Sequence, residues 1–311
     1  MKKKRVLRLV IVLIALSVFL YCAYRLFLIF NDYRKTDEEY NRIRTEYIKP
    51  SSPNAASTDV NKAPVIDPKY EDAEPPLTPD WDSLRNVNPD VVGWIYVDAT
   101  PEISYPIVWR EDDNDYYLHT SFEGNYLYAG TIFLEGLNHP DFSDPLNIVY
   151  GHNMKNGSMF ASLAKLLDQK VYDENPYFWI LTPNGDYRYH IISVFQTESD
   201  SAAYQLFDNN KTFKKYEKMM QENSVVKNDV TLYDDDCGVL LSTCVSDHVH
   251  RTVVLGKCVS SNHPEKTTDE MPVKTVPLEG FEDEEESESE MTESRTSGFD
   301  LSNPFGLQNT D

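Results

Sequence analysis

Between Val239 and Val259 the chain spells two apolar, β-branched runs joined by a link too short for anything but a tight antiparallel return. Leu240-Leu241-Ser242-Thr243-Cys244 carries a cysteine to the end of the first run. Six residues follow, Val245 to His250, and the second run opens on Arg251-Thr252-Val253-Val254. An antiparallel pair joined this way sets Cys244 and Arg251 side by side at a strand end. Upstream, Ile148-Val149-Tyr150-Gly151-His152-Asn153-Met154 puts a histidine just past another apolar run. A thiol, an imidazole and a guanidinium are the parts of acyl transfer through a thioester: nucleophile, proton carrier and oxyanion stabiliser.

The same hairpin makes a second claim. Opposed residues in an unbroken antiparallel ladder share one sum of residue numbers, so if Cys244 faces Arg251, Cys237 faces Cys258. Strand alternation puts that pair on the other face. Opposed Cβ atoms lie about 4.5–5.5 Å apart, near disulfide reach. The register leaves two readings open, a Cys237–Cys258 disulfide or two small core residues, and a bulge in either strand would destroy it.

Charge divides the chain. It has 311 residues, 29 basic and 51 acidic side chains and a net charge of -22, a poor balance for nucleic-acid binding. Lys2, Lys3, Lys4, Arg5 and Arg8 make the start basic. Leu9 to Phe30 is apolar apart from Arg25, long enough to span a bilayer if Arg25 snorkels. The basic cluster predicts a cytoplasmic N-terminus and an extracellular bulk. No small-x-small site follows the run, so it reads as an uncleaved anchor rather than a cleaved signal peptide; bulky Tyr21 before Cys22 argues against a lipoprotein. Asn31 to Lys49 reads as an extension of this helix. Pro50 to Asp80 holds seven prolines and reads as an extended spacer. Nine acidic residues between Glu279 and Glu293, with no base among them, mark a solvated tail. The expected division is residues 1–30 anchor, 31–80 helix and linker, 81–260 catalytic domain and 261–311 acidic tail.

Within the domain about eight short apolar runs alternate with turn residues: Val92–Val97, Ile103–Trp109, Gly130–Leu134, Leu146–Tyr150, Phe178–Thr182, Tyr187–Gln196, Val239–Thr243 and Thr252–Val259. Thr182-Pro183-Asn184-Gly185-Asp186 is a hairpin turn. Helical spacing covers Trp81–Asn88, Ser158–Leu167 and Lys211–Glu222. The class is mainly β, and pattern alone leaves barrel and sandwich open.

Tyr150-Gly151-His152-Asn153-Met154 with Gly157-Ser158-Met159-Phe160, then Ser242-Thr243-Cys244 and Arg251, resembles the sortases, cysteine transpeptidases of Gram-positive surfaces. Asn88-Pro89-Asp90-Val91-Val92-Gly93-Trp94-Ile95, Tyr105-Pro106-Ile107-Val108 and Asp115-Tyr116-Tyr117-Leu118-His119 resemble class B, and the likeness runs in order from about Trp81 to about Val259. It implies an eight-stranded β-barrel with peripheral helices after one transmembrane helix. It implies catalysis by His152, Cys244 and Arg251, with the Val245 N–H as a second oxyanion donor and Ser242, Thr243 and Asn153 at the substrate. The implied reaction cleaves an Asn-Pro-x-Thr-like sorting signal of secreted proteins and passes the acyl group to an amine of peptidoglycan precursor or of another protein. The alternatives are an endopeptidase resolved by water and an inactive wall-assembly module. Ser199 to Lys227 is either a substrate wall or a plain packed helix. No cofactor is expected, and no metal, because His248 and His250 lack a carboxylate or thiolate set at ligand spacing. Asn303-Pro304 in the tail admits self-occlusion of the site, though a tail repelling anionic polymer or meeting a basic partner suits its charge better.

Overall fold

A computed structural model describes residues 2–51, 74–207, 213–233, 236–244 and 250–262. The expected acidic tail and the segment Val245 to Val249 lie outside them. Helix α1 runs unbroken from Lys2 to Tyr47, about 70 Å at 1.5 Å per residue. Its first half shows exposed Leu, Ile, Val and Phe, and it is one helix long and apolar enough to cross a membrane.

The second half of α1 docks on the folded region that follows it. Tyr40 and Ile43 are buried, and the Tyr40 hydroxyl donates to the Gly130 carbonyl. The Tyr40 ring meets Tyr105 edge-on, and Arg42 pairs with Glu123. Strand β1 (Ile48–Pro50) then pairs antiparallel with β2 (Leu77–Pro79), so the proline-rich stretch read as a spacer leaves and returns at one place. Helix α2 (Trp81–Val87) follows, its N-terminus capped by Asp80, whose side chain accepts from the Ser83 N–H.

Eight strands close the barrel: β3 (Val91–Val97), β4 (Ser104–Val108), β5 (Ile132–Leu134), β6 (Leu146–Tyr150), β7 (Tyr177–Thr182), β8 (Gly185–Glu198), β9 (Gly238–Cys244) and β10 (His250–Asn262). They run β10-β8-β7-β3-β4-β5-β6-β9 around the closed sheet. Closure, not sandwich packing, is how the chain removes its strand edges. The β4–β5 and β6–β9 contacts are parallel, and the rest of the barrel pairs antiparallel. Trp94, Ile95, Ile107, Phe178, Leu181 and Val254 are fully buried in its core. Gly256 is needed there: a Cβ would come within 2.3 Å of the Phe178 ring.

Helices α3 (Gln169–Glu174) and α4 (Phe213–Asn223) also stand outside the wall, and α4 lies against β8. The helix expected from Ser158 begins only at Ala161, as a 3-10 turn to Leu167. Residues before it are spent on a closed loop, with Gly157 and Met159 at φ 88° and 56° and Asn153 bridged to Met159.

Candidate active site

Three adjacent strands, β6, β9 and β10, bring the candidate residues to one end of the barrel. Strands β9 and β10 pair so that Arg251 stands opposite Cys244, in the register expected from the sequence. The parallel β6–β9 ladder sets Tyr150 beside Ser242, and the Gly151 N–H donates to the Ser242 carbonyl at 3.1 Å. Two residues further along each chain come His152 and Cys244. The parallel pairing therefore delivers histidine and cysteine at one level, and the antiparallel pairing adds the arginine. A side chain at Gly151 would force its neighbours to shift: a Cβ would sit 2.4 Å from Ile132 Cδ1 and 2.7 Å from the Phe160 ring.

His152 is buried, and its Nε2 lies 2.8 Å from the Leu118 carbonyl. A carbonyl only accepts, so Nε2 carries a proton and Nδ1 is the basic nitrogen. The ring stacks on His119 at 5.5 Å and 17°, and on Tyr128 at 5.7 Å. His119 Nδ1 in turn reaches the Tyr128 carbonyl at 3.1 Å. Burial pushes the His152 pKa down to about 4, and the nearby His119 and the Arg251 guanidinium lower it too. The imidazole is thus neutral at pH 7. Arg251 is itself buried, with one guanidinium N–H on the His250 carbonyl at 3.4 Å.

The other expected residues separate. Ser242 is buried, its Oγ 2.7 Å from the Tyr204 hydroxyl, and the Tyr204 ring is stacked on Tyr150. Thr243 is on the opposite face of β9 from Ser242, paired with Thr252, and its buried Oγ1 has no hydrogen-bond partner among the described residues. Asn153 is exposed in the loop just past His152. Val245 lies outside the described residues, as does His248. Of Ser199 to Lys227, Ala203, Tyr204 and α4 pack as core, Tyr204 reaching the site through Ser242. Among the described residues no three His, Cys, Asp or Glu side chains converge as a metal site would require. The sequence reading missed the Leu118 carbonyl and the His119–Tyr128 stack. The motif Asp115 to His119 was visible, but nothing in its spacing tied it to His152.

A closed barrel whose neighbouring strand ends carry cysteine and arginine, with histidine just beyond a third, has the layout of a cysteine acyl-transfer enzyme. No family model matches the chain. Sortase B of Listeria monocytogenes is 36% identical over 181 residues, covering 57% of this chain and 73% of that protein. The crystal structure of sortase B from B. anthracis superposes with a TM-score of 0.59 at 29% identity, over 74% of this chain and 99% of that one. A Staphylococcus aureus sortase B–substrate complex matches at a TM-score of 0.53 and 27% identity, over 57% and 83%. The chain belongs to the sortase B family, and it is a cysteine transpeptidase of the sortase type.

Proposed function

We propose that this chain is a membrane-anchored transpeptidase for an Asn-Pro-x-Thr-like sorting signal, working outside the cell with its basic N-terminus in the cytoplasm. The observation that carries the reading is the coincidence of register that brings His152, Cys244 and Arg251 to one barrel end. Cys244 gives its proton to the neutral His152 and attacks the carbonyl carbon after threonine. Arg251, with the Val245 N–H, meets the negative charge on the carbonyl oxygen. The carbon–nitrogen bond breaks as His152 returns the proton to the leaving amine, and a thioester remains. An amine of peptidoglycan precursor or of another protein then attacks it, and the sulfur leaves as Cys244 thiol. Ser242 and Asn153 flank the bound signal, and α1 supplies the anchor.

The test is intact-mass spectrometry of the full chain mixed with Asn-Pro-x-Thr and Leu-Pro-x-Thr peptides, with and without a glycine-type amine. An acyl adduct that is lost in Cys244→Ala and resolves faster to amide than to acid is the expected result. An adduct resolved by water alone would make the enzyme an endopeptidase. No adduct with either peptide would overturn the proposed signal.

A further inference from the structure

The base of the β9–β10 hairpin holds a second pair of cysteines, away from the chemistry. The ladder that sets Arg251 opposite Cys244 runs with no register shift to Lys257 opposite Gly238. One step further the Cys258 N–H donates to the Cys237 carbonyl at 2.8 Å. Cys237 and Cys258 are therefore directly opposed, at a spacing where Cα atoms lie about 5.5 Å apart, inside the span of disulfides. Cys258 is an odd number of residues from Arg251 along β10 and so lies on the other face of the strand. A separate observation agrees: both cysteines lie near the same two phenols, Tyr187 and Tyr189, whose pKa values burial raises first and ionised sulfur at either cysteine would raise further. Both cysteines are only partly buried.

We propose that Cys237 and Cys258 form a cross-strand disulfide that clamps the base of the hairpin whose far end carries Cys244 and Arg251. Both stand as thiols in the structure. The bond forms by exchange with a disulfide oxidant, the class of reagent that extracytoplasmic proteins meet. One cysteine thiolate attacks the oxidant and releases its first thiol. The second cysteine attacks the mixed disulfide and releases the other. The two cysteine protons end on the two released thiols, and two electrons pass to the oxidant. The bond closes a loop containing both catalytic strands, which removes conformations from the unfolded chain. The site lies seven residues away, roughly 24 Å along the strands, so the clamp acts on the hairpin's stability and not on the chemistry.

The experiment uses the full chain in detergent with Cys22→Ser and Cys244→Ala, leaving only these two thiols. The protein is treated with oxidised glutathione, alkylated under denaturing conditions and weighed intact. The expected product takes no label and is two hydrogens lighter than the reduced chain, which takes two labels. Two labels after oxidation, stable glutathione adducts, or a chain-to-chain dimer would each overturn the proposal. The thermal midpoint of the oxidised form should exceed that of the reduced form by several degrees, and the difference should vanish with Cys258→Ser. A bond that forms without moving the midpoint would sink the clamp. Mass and melting are independent of catalysis, so this outcome is separate from the fate of the proposed reaction.

Discussion

Arg251 and Lys257 share one face of β10, six residues apart, and are 4% and 5% exposed. Their surroundings differ. Lys257 is closed off: the Asp236 carboxylate is 2.7 Å away, the Thr231 carbonyl accepts at 2.7 Å, and the Tyr233 ring lies 4.4 Å from its Nζ. Glu217 of α4 is fully buried close by, and neither of its oxygens has a hydrogen-bond partner among the described residues. Burial first, and then the charge of Asp236, pushes its pKa up to about 8, so it is mostly protonated at pH 7. Arg251 lies near the buried His152 imidazole, whose pKa burial lowers first and the Arg251 charge lowers further. A buried cation answered by a carboxylate is part of the framework. On the mechanism proposed above, Arg251 meets an anion that forms only during reaction.

The contrast breaks most sharply under substitution. Arg251→Ala should lower kcat/KM per folded molecule by about 10²–10³-fold, the scale for one oxyanion donor. Steady-state transpeptidation beside calorimetry checks this; an unfolded variant with a normal rate per folded molecule would reverse the comparison. Lys257→Ala should act on stability instead. It strands Asp236 and should cost about 3–5 kcal/mol by denaturant unfolding, while the folded fraction keeps its kcat.

Acidity sharpens the comparison, because the two regions respond with opposite sign. Folded Glu217 keeps its proton to about pH 8 while the unfolded chain loses it near 4.5, so its contribution to stability fades as pH rises through that window. Glu217→Gln should flatten the slope. His152 titrates at about 4 when folded and near 6.5 when unfolded, so its contribution is intact above 6.5 and is lost as pH falls toward 4. The buried His190, also pushed down to about 4, adds to that acid loss. The acid limb of kcat/KM should accordingly fall near pH 4; a midpoint at 6.5 would contradict a neutral, buried imidazole. The smallest effect is Tyr204→Phe, which removes the 2.7 Å contact with Ser242 and should cost about 1 kcal/mol of stability, with kcat unchanged.

The hairpin was the most legible part of the chain. Two apolar runs and a short link leave an antiparallel ladder little freedom, so Arg251 opposite Cys244 and Cys258 opposite Cys237 follow from residue numbers alone. The strands themselves were read to within a few residues. The cyclic order was not legible: parallel β6–β9 pairing joins runs some ninety positions apart, and it took the family resemblance to choose barrel over sandwich. Side-chain patterns could not show that a backbone carbonyl, Leu118, fixes the proton on His152. Nor could dispersed Tyr40 and Ile43 in a charged stretch show that α1 docks on the barrel, because their partners Gly130 and Tyr105 are remote in sequence.

The pairing of β1 with β2 has a consequence for proteolysis. Ser51 donates to the Pro76 carbonyl at 3.1 Å and Asp80 to the Tyr47 carbonyl at 2.8 Å, so the two ends of the proline-rich excursion are fastened to each other and to α1. A protease that nicks residues 52–73 should produce two bands on a denaturing gel but one particle in solution, still fixed to its helix. With α1 as the proposed anchor, release from a membrane requires a cut earlier, between Phe30 and Thr36, where the apolar half of α1 gives way to the docked half. A soluble fragment begun at Trp81 would lack Tyr40 and Ile43 and lay bare the barrel surface they cover.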